Sequence, residues 1–446
     1  MKVLTRGNIP KNFFIFALPL VLSGLLSDAY STINTVIAGY YIGETGLAAI
    51  GSTAPLISFL SSIFWGFGAG LGVYIARLFG AGEYEKIRRV INAQHIVVGA
   101  LVLTIAVPAI IFTVPILRLL KVDEAVMQDA ATYFRIIMAG FIVLRLSNNC
   151  AYPMHALGIG SFPFYMSLIT ACLTVGGNIL SVAVFGMGVA GIAGSTVLAA
   201  AVTLTCYLFR FRYIFRKMKL PKTRGFSLRE MKESFPYALP TTVQQMMMYF
   251  ATLLLSPTVN VLGGAASAAY TVVVRIYDLN AQVYQNSARA VGSYTAQSMG
   301  EGRPDKIRKG LLIGFVQGVL FLLPFLGAMM FFPDFTLSLF FKEDASPEAI
   351  TYARDFILIF VPFVVFNLIN NLFHNLYRGV KRMSLLIFST GSAACVRILV
   401  GIVLAPIYGM HGFYIAWVAS WIYEALLSLV IYLTGIWKPR ELKMQV

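Results

Sequence analysis

Apolar runs of about 20 residues, separated by short polar stretches, recur from one end of the chain to the other, each able to cross roughly 30 Å of hydrocarbon. They predict twelve helical spans, at 12–40, 46–79, 91–117, 131–157, 162–185, 188–212, 234–261, 265–299, 309–333, 350–378, 383–407 and 412–436. The fold class is therefore an all-α polytopic membrane protein. The longest polar stretch, RFRYIFRKMKLPKTRGFSLREMK at 210–232, falls between the sixth and seventh spans. It divides the chain into a six-helix bundle at 1–212, a basic linker at 213–233 and a second six-helix bundle at 234–446. The first span is longer than a signal-peptide core and carries Asp28, so it reads as a retained membrane helix.

The two halves repeat one another. YIARLFGAGEYEKIRR (74–89) and YTAQSMGEGRPDKIRK (294–309) are identical at seven positions with an offset of 220, among them Gly82/Gly302 and Lys86/Lys306. ALP at 17–19 and 238–240, Gly158/Gly379 and Gly191/Gly412 recur at an offset of 221. Units of six spans enter the membrane from the same side, so the halves are expected to be parallel repeats about a pseudo-two-fold along the membrane normal. The repeated glycines suit helix ends. Lys86, Arg88 and Arg89 are placed to reach headgroups.

Composition supports this picture: 58% of the 446 residues are hydrophobic and 12% charged, against about 25% charged in a soluble domain. Mean hydropathy is +0.77. The net charge of +16 does not indicate nucleic acid, because 26 of the 35 Lys and Arg lie in both termini and alternate connections, while the other connections are acidic. That asymmetry predicts a cell-membrane protein with both termini cytoplasmic and its basic loops against lipid headgroups. Cys150, Cys172, Cys206 and Cys395 all fall inside apolar spans and read as small hydrophobes.

Polar residues inside spans are costly and mark a cavity or a partner. Asp28, Ser31, Thr32 and Thr35 share one face of the first span. Arg275, Asp278, Gln282, Gln285, Asn286 and Arg289 form a stripe on the eighth. There Arg275 and Asp278 are spaced to pair, while Arg289 has no acid three or four residues away. Arg145, Arg397 and Glu424 are further buried charges, and His374 with Asn370 and Asn371 makes the tenth span polar where Asn148 and Asn149 do the same in the fourth. A lone histidine near a helix end is ordinarily a structural group. GFGAGLG (66–72) lies in an apolar span with no strand before it, so Gly66/Gly70 and Gly68/Gly72 are helix-packing spacings rather than a dinucleotide loop. No phosphate-binding GxxxxGK[ST] and no cluster of catalytic residues occurs, so the chain is expected not to be an enzyme.

The duplicated six-span plan, the two ALP motifs, IAGYYIGETGLAAIGS (37–52), the FGAG and MGEG loops, GMGVAG (186–191) and LPTTVQQ (239–245) together resemble the multidrug and toxic compound extrusion (MATE) family over essentially the whole chain. The resemblance implies a secondary active exporter of small organic, cationic or amphipathic compounds, working by alternating access against inward H⁺ or Na⁺. It implies no cofactor beyond the coupling ion, a small organic substrate and membrane lipids as partners, and a monomer. Two family carboxylates are replaced: YSTINT (30–35) puts Asn34, and LTVGGN (173–178) puts Asn178, where aspartates are expected, with Thr174 at the usual asparagine. An amide can ligate a cation but cannot exchange a proton. Asp28 and Asp278 are therefore the candidate ion-coupling residues. Asn34, Asn149, Thr174 and Asn178 are candidates to line a cavity in the first half, and Gln245, Tyr277, Gln282 and Arg289 in the second. The alternative is a flippase or exporter of a lipid-linked or anionic substrate on a related fold.

Overall fold

The computed structural model describes residues 4–5, 7–120, 122–218, 228–260, 264–341 and 346–438. The centre of the basic linker, the acidic stretch 342–345 and the C-terminal tail lie outside these residues, as do side chains over 250–268. Twelve long helices follow in order: α1 Ile9–Gly43, α2 Thr45–Ala81, α3 Tyr84–Ile111, α4 (the bent pair Glu124–Ala139 and Phe141–Ala156), α5 Ser161–Val184 and α6 Gly188–Lys217. The second series is α7 Leu228–Asn260, α8 Gly264–Gly300, α9 Pro304–Phe331, α10 Pro347–Gly379, α11 Met383–Tyr408 and α12 Met410–Leu433. No strand occurs among the described residues.

Nine of these helices, or ten counting the bent α4, are long and apolar enough to cross a membrane. The two that fall short are α7 and α8. The uncharged stretch of the first holds Thr241, Thr242, Gln244 and Gln245, and the second carries the polar stripe, so both dilute their apolar content with side chains that need a partner. On α9, Leu312, Val316, Leu320 and Leu323 form one exposed apolar stripe. Its opposite side is Gly310, Gly314 and Gly318. A Cβ added there would meet Tyr294, Val291 and Leu368 within 2.1–2.6 Å. Small residues of this spacing let helices approach closely where lipid offers no hydrophobic drive between them.

Breaks in the helices sit at glycines. Gly43 parts α1 from α2 with φ 77° and ψ −170°, a conformation open to residues without a Cβ. Gly140 bends α4 by 54° where a Cβ would strike Val197 of α6. Both copies of the repeated phrase end their helix in the same way. Gly82 and Gly302 have φ of 77° and 68°. Glu83 N–H bonds Leu78 C=O at 3.0 Å, and Arg303 N–H bonds Ser298 C=O at 2.9 Å, the six-to-one closure of a glycine C-cap.

The chain forms two compact units, and neither is contiguous. Unit 1 takes Leu22–Thr242 and unit 2 takes Val3–Val21 with Val243–Val446, so α1 and α7 are each divided a few residues beyond their ALP motif. In unit 1 the start of α7 packs on the end of α2: Tyr74 donates to Glu233 at 2.9 Å, and Arg77 to Tyr237 at 2.9 Å. In unit 2 the start of α1 packs on the end of α8. Leu4 N–H bonds Gln297, Thr5 bonds Glu301, and Phe13 lies 5.0 Å from Tyr294. Tyr74 and Tyr294, equivalent in the repeat, each pack a ring against the adjoining helix, on Tyr237 and Phe13 respectively.

The basic residues after Gly82 have protein partners as well as any headgroup. Arg89 bonds Glu230 at 3.1 Å, and the Arg88 guanidinium lies 5.1 Å from the Phe215 ring. Glu230 is buried, so its carboxylate needs a cation more than the lipid does. Arg89→Ala leaves that carboxylate unpaired and is expected to cost about 1–2 kcal/mol, moderated because Arg89 is itself half exposed. Thermal unfolding of the detergent-solubilised protein, with Arg89→Lys as the milder comparison, reads this out.

Candidate functional site

In unit 1 the polar face of α5 meets α1. Asn178 is fully buried and donates its amide to Asn34 Oδ1 at 2.9 Å. Thr174 lies one turn earlier on the same face and is also fully buried. Neither Asn178 Oδ1 nor Thr174 Oγ1 has a hydrogen-bond partner among the described residues. In either orientation of the Asn178 amide, one terminal atom faces Asn34 and the other is left over. Immediately after Asn178 the helix widens into a single π turn, Leu180–Val184, a local expansion often found at functional positions. Ser181 bonds the Asn178 carbonyl at 3.2 Å and lies 3.2 Å from Ser195 of α6. Gly191 makes this possible, since a Cβ there would stand 2.7 Å from Ser181 Oγ.

Asn149 belongs to a different cluster of the same unit. Its amide donates to the Arg145 carbonyl at 3.0 Å, and Gln94 of α3 donates to the Asn149 carbonyl at 3.2 Å. Arg145 is buried with its guanidinium 4.7 Å from the Phe141 ring. Its Nε and Nη1 have no hydrogen-bond partner among the described residues, and the hydroxyls of Tyr30 and Tyr152 are within its electrostatic reach. Asp28 is half-buried on α1, where Thr32 donates to its backbone carbonyl at 3.0 Å. Asp28 has further interactions of its own, and the Asn178 amide is given to Asn34.

In unit 2 the stripe on α8 is stitched along its own helix. Asn286 donates to the Gln282 carbonyl at 2.7 Å, and Arg289 Nη1 donates to Asn286 Oδ1 at 2.9 Å. Arg289, which lacks an acid at helical spacing, is thus held by an amide. Arg275 is exposed, and an exposed guanidinium gains little from pairing with a neighbour. Asp278 is half-buried and engaged, within electrostatic reach of Tyr270 and Tyr284. Tyr277 packs among aromatic rings, 5.1 Å from Trp417, 6.0 Å from Trp421 and 6.2 Å from Phe360. Arg397 joins that group, 5.5 Å from the Trp417 ring with Nε on Ser420 at 3.2 Å.

Gln245 is half-buried, whereas its neighbour Gln244 is almost fully buried and makes two hydrogen bonds. The buried Thr241 and Tyr237 stand three and seven residues before Gln244 at the start of α7, which places Gln244 on their inward face. No group of three metal-ligating side chains occurs among the described residues.

The geometry agrees with what comparison finds. The MatE family model matches residues 19–180 and 240–403. The probable multidrug resistance protein YoeA of Bacillus subtilis is 26% identical over 353 residues, covering 76% of this chain and 75% of that protein. The outward-facing conformation of a multidrug resistance MATE family transporter of the MOP superfamily superposes with a TM-score of 0.87 at 20% identity, covering 96% of each chain. A MOP superfamily transporter from Pyrococcus furiosus, described as having a binding pocket of reverse polarity that suggests a different function, gives 0.86 at 20% identity, again over 96% of each chain. Twelve helices in two repeated units and a family match over most of the chain lead to one conclusion: this is a multi-pass membrane transporter belonging to the MatE family of multidrug efflux proteins.

Proposed function

We propose that the chain expels small organic compounds, cationic or amphipathic, from the cell by alternating access, driven by inward movement of H⁺ or Na⁺. The observation that carries this reading is the Asn34–Asn178 contact with Thr174 beside it: a buried, uncharged polar patch that keeps an unpartnered atom. A buried polar group without a partner costs about 1–3 kcal/mol, which a bound ligand or cation offsets. The names of the relatives, multidrug resistance and multidrug export proteins, point the same way. Asn34, Asn149, Thr174 and Asn178 would line the substrate path in unit 1, and Gln245, Tyr277, Gln282 and Arg289 in unit 2. Asp28 and Asp278 supply the carboxylates for the coupling ion. The distribution of basic residues favours the cell membrane with both termini cytoplasmic, and the protein acts as a monomer.

The test is efflux of ethidium from proteoliposomes under an imposed ΔpH or ΔNa⁺. Asp28→Asn is expected to lower gradient-driven efflux about tenfold or more, equivalent to roughly 1.4 kcal/mol, with Asp278→Asn weaker. If Asp28→Asn matches wild type under every gradient, Asp28 is not the coupling residue. A second reading, a flippase or exporter of an anionic or lipid-linked substrate, draws on the buried Arg145 with its two unpartnered nitrogens. The reverse polarity described for the Pyrococcus furiosus transporter is in keeping with it. Scrambling of a fluorescent anionic lipid without any ethidium efflux would favour that reading.

A further inference from the structure

The second unit contains a buried histidine–glutamate pair that the export reading leaves without a role. His374 of α10 and Glu424 of α12 meet at 2.8 Å, Nε2 to Oε1, and both are buried. The same Nε2 lies 3.3 Å from Thr390 Oγ1 of α11. Thr390 in turn receives the Gln244 amide of α7 at 3.2 Å, and Gln244 Oε1 accepts from Arg378 Nη2 of α10 at 2.5 Å. One path therefore joins four helices, from a carboxylate through imidazole, hydroxyl and amide to a guanidinium.

The donors fix its direction. A guanidinium only donates, so the Gln244 carbonyl must face Arg378 and its NH₂ must face Thr390. Thr390 oxygen thus accepts from Gln244, and its single hydrogen remains to be given away. When Nε2 carries its hydrogen, the ring donates to Glu424 and the Thr390 hydrogen turns elsewhere. When Nε2 is bare, Thr390 donates to it. Nδ1 takes part in none of these bonds.

We propose that the His374–Glu424 pair binds and releases a proton that drives export, and that Thr390, Gln244 and Arg378 are positioning residues that convey its state to α7. The proposal rests on the export reading and adds a proton site to Asp28 and Asp278. A neutral imidazole beside a carboxylate carries one negative charge. Taking one proton from water makes the pair neutral, and releasing it on the other side restores the charge. In a low-dielectric interior that change is strongly felt. Other titratable groups stand on the surrounding helices, among them the half-buried Asp278 of α8. On α10, Tyr377 bonds the Ser428 carbonyl at 3.4 Å and feels the Glu424 charge. On α8, Tyr284 bonds Asn367 and Arg289 bonds Asn286. On α11, Arg397 bonds Ser420. On α9, Arg308 and Lys309 lie in the first turn.

Two measurements on the full chain decide it. Side-chain NMR of ¹⁵N-histidine protein, with the His374 signal identified by its loss in His374→Gln, should show that ring changing its protonation state as pH is varied. Its proton affinity should fall about tenfold or more in Glu424→Gln. A His374 ring that does not titrate, or titrates alike in Glu424→Gln, overturns the proposal. In proteoliposomes, Glu424→Gln should lose ΔpH-driven ethidium efflux yet keep ethidium exchange without a gradient, which also shows that the variant is folded, and Glu424→Asp should restore part of the loss. Efflux driven by ΔNa⁺ alone, or undiminished in Glu424→Gln, overturns the proposal but leaves export standing. If wild type moves no ethidium under any gradient, export fails, and the proton that drives it fails with it, whatever the NMR finds.

Discussion

Asn178→Leu is expected to lower ethidium efflux about tenfold or more, roughly 1.4 kcal/mol of lost binding, while the protein still folds. The side chain it replaces is fully buried and gives its amide to Asn34. Leucine fills much the same volume, so no large cavity opens. It strands Asn34, and an unsatisfied amide costs about 1–3 kcal/mol when dry. Asn34 is only half-buried, which places the stability cost at the low end. The larger effect falls on the ligand, which loses the unpartnered atom of Asn178. Asn178→Asp should behave differently. Asn34 can turn its NH₂ toward the new carboxylate, making a charge-assisted bond, and efflux should persist with a steeper pH dependence because the position can now carry a proton. Efflux across a pH series in wild type and both variants separates the cases. Equal efflux from Asn178→Leu and wild type would remove Asn178 from the substrate path.

The second large effect is structural. Gly66→Ala combined with Gly70→Ala should cost about 1–3 kcal/mol at each site and lower the apparent melting temperature of the solubilised protein by several degrees. A Cβ on Gly66 would lie 2.4 Å from Thr242 Cα and 2.7 Å from the Thr241 carbonyl. One on Gly70 would lie 2.4 Å from the Tyr237 carbonyl. These obstacles are helix backbone, which cannot step aside as a side chain does, so α2 and the start of α7 would have to separate. Gly72→Ala is the control: its nearest contacts are at 3.4 Å, ordinary packing distance. If the double variant melts with the control, the two helices are not held this closely.

Much of this was legible along the chain because the membrane imposes a strict rule. Every span must satisfy its backbone internally, so each long apolar run becomes a helix, and the twelve predicted spans correspond one to one with α1–α12. The Gly66/Gly70 spacing announced a close helix contact for a local reason, since residues four apart share a face. The repeated glycines behave alike for the same kind of reason: Gly82 and Gly302 both adopt the positive φ that ends a helix. Side-chain partners were less legible. The i, i+3 spacing suggested Arg275 with Asp278, yet Arg275 is exposed. Arg289 bonds the amide of Asn286, and Gln244 is more deeply buried than Gln245. Spacing along one helix gives the face, while the neighbouring helix decides what that face meets.

By itself the sequence determined an all-helical, twice-repeated membrane transporter, with amides at Asn34 and Asn178 where its family is expected to hold carboxylates. Those properties are local: hydropathy over a span, identity at a fixed offset, residue type at a motif position. Only the tertiary structure decided that α1 and α7 are each divided between the two units, that Asn34 and Asn178 touch across 144 residues of chain, and that His374 meets Glu424 50 residues away. Such pairings depend on how helices rotate and tilt against one another, which is set by glycine contacts and buried polar groups on several helices at once.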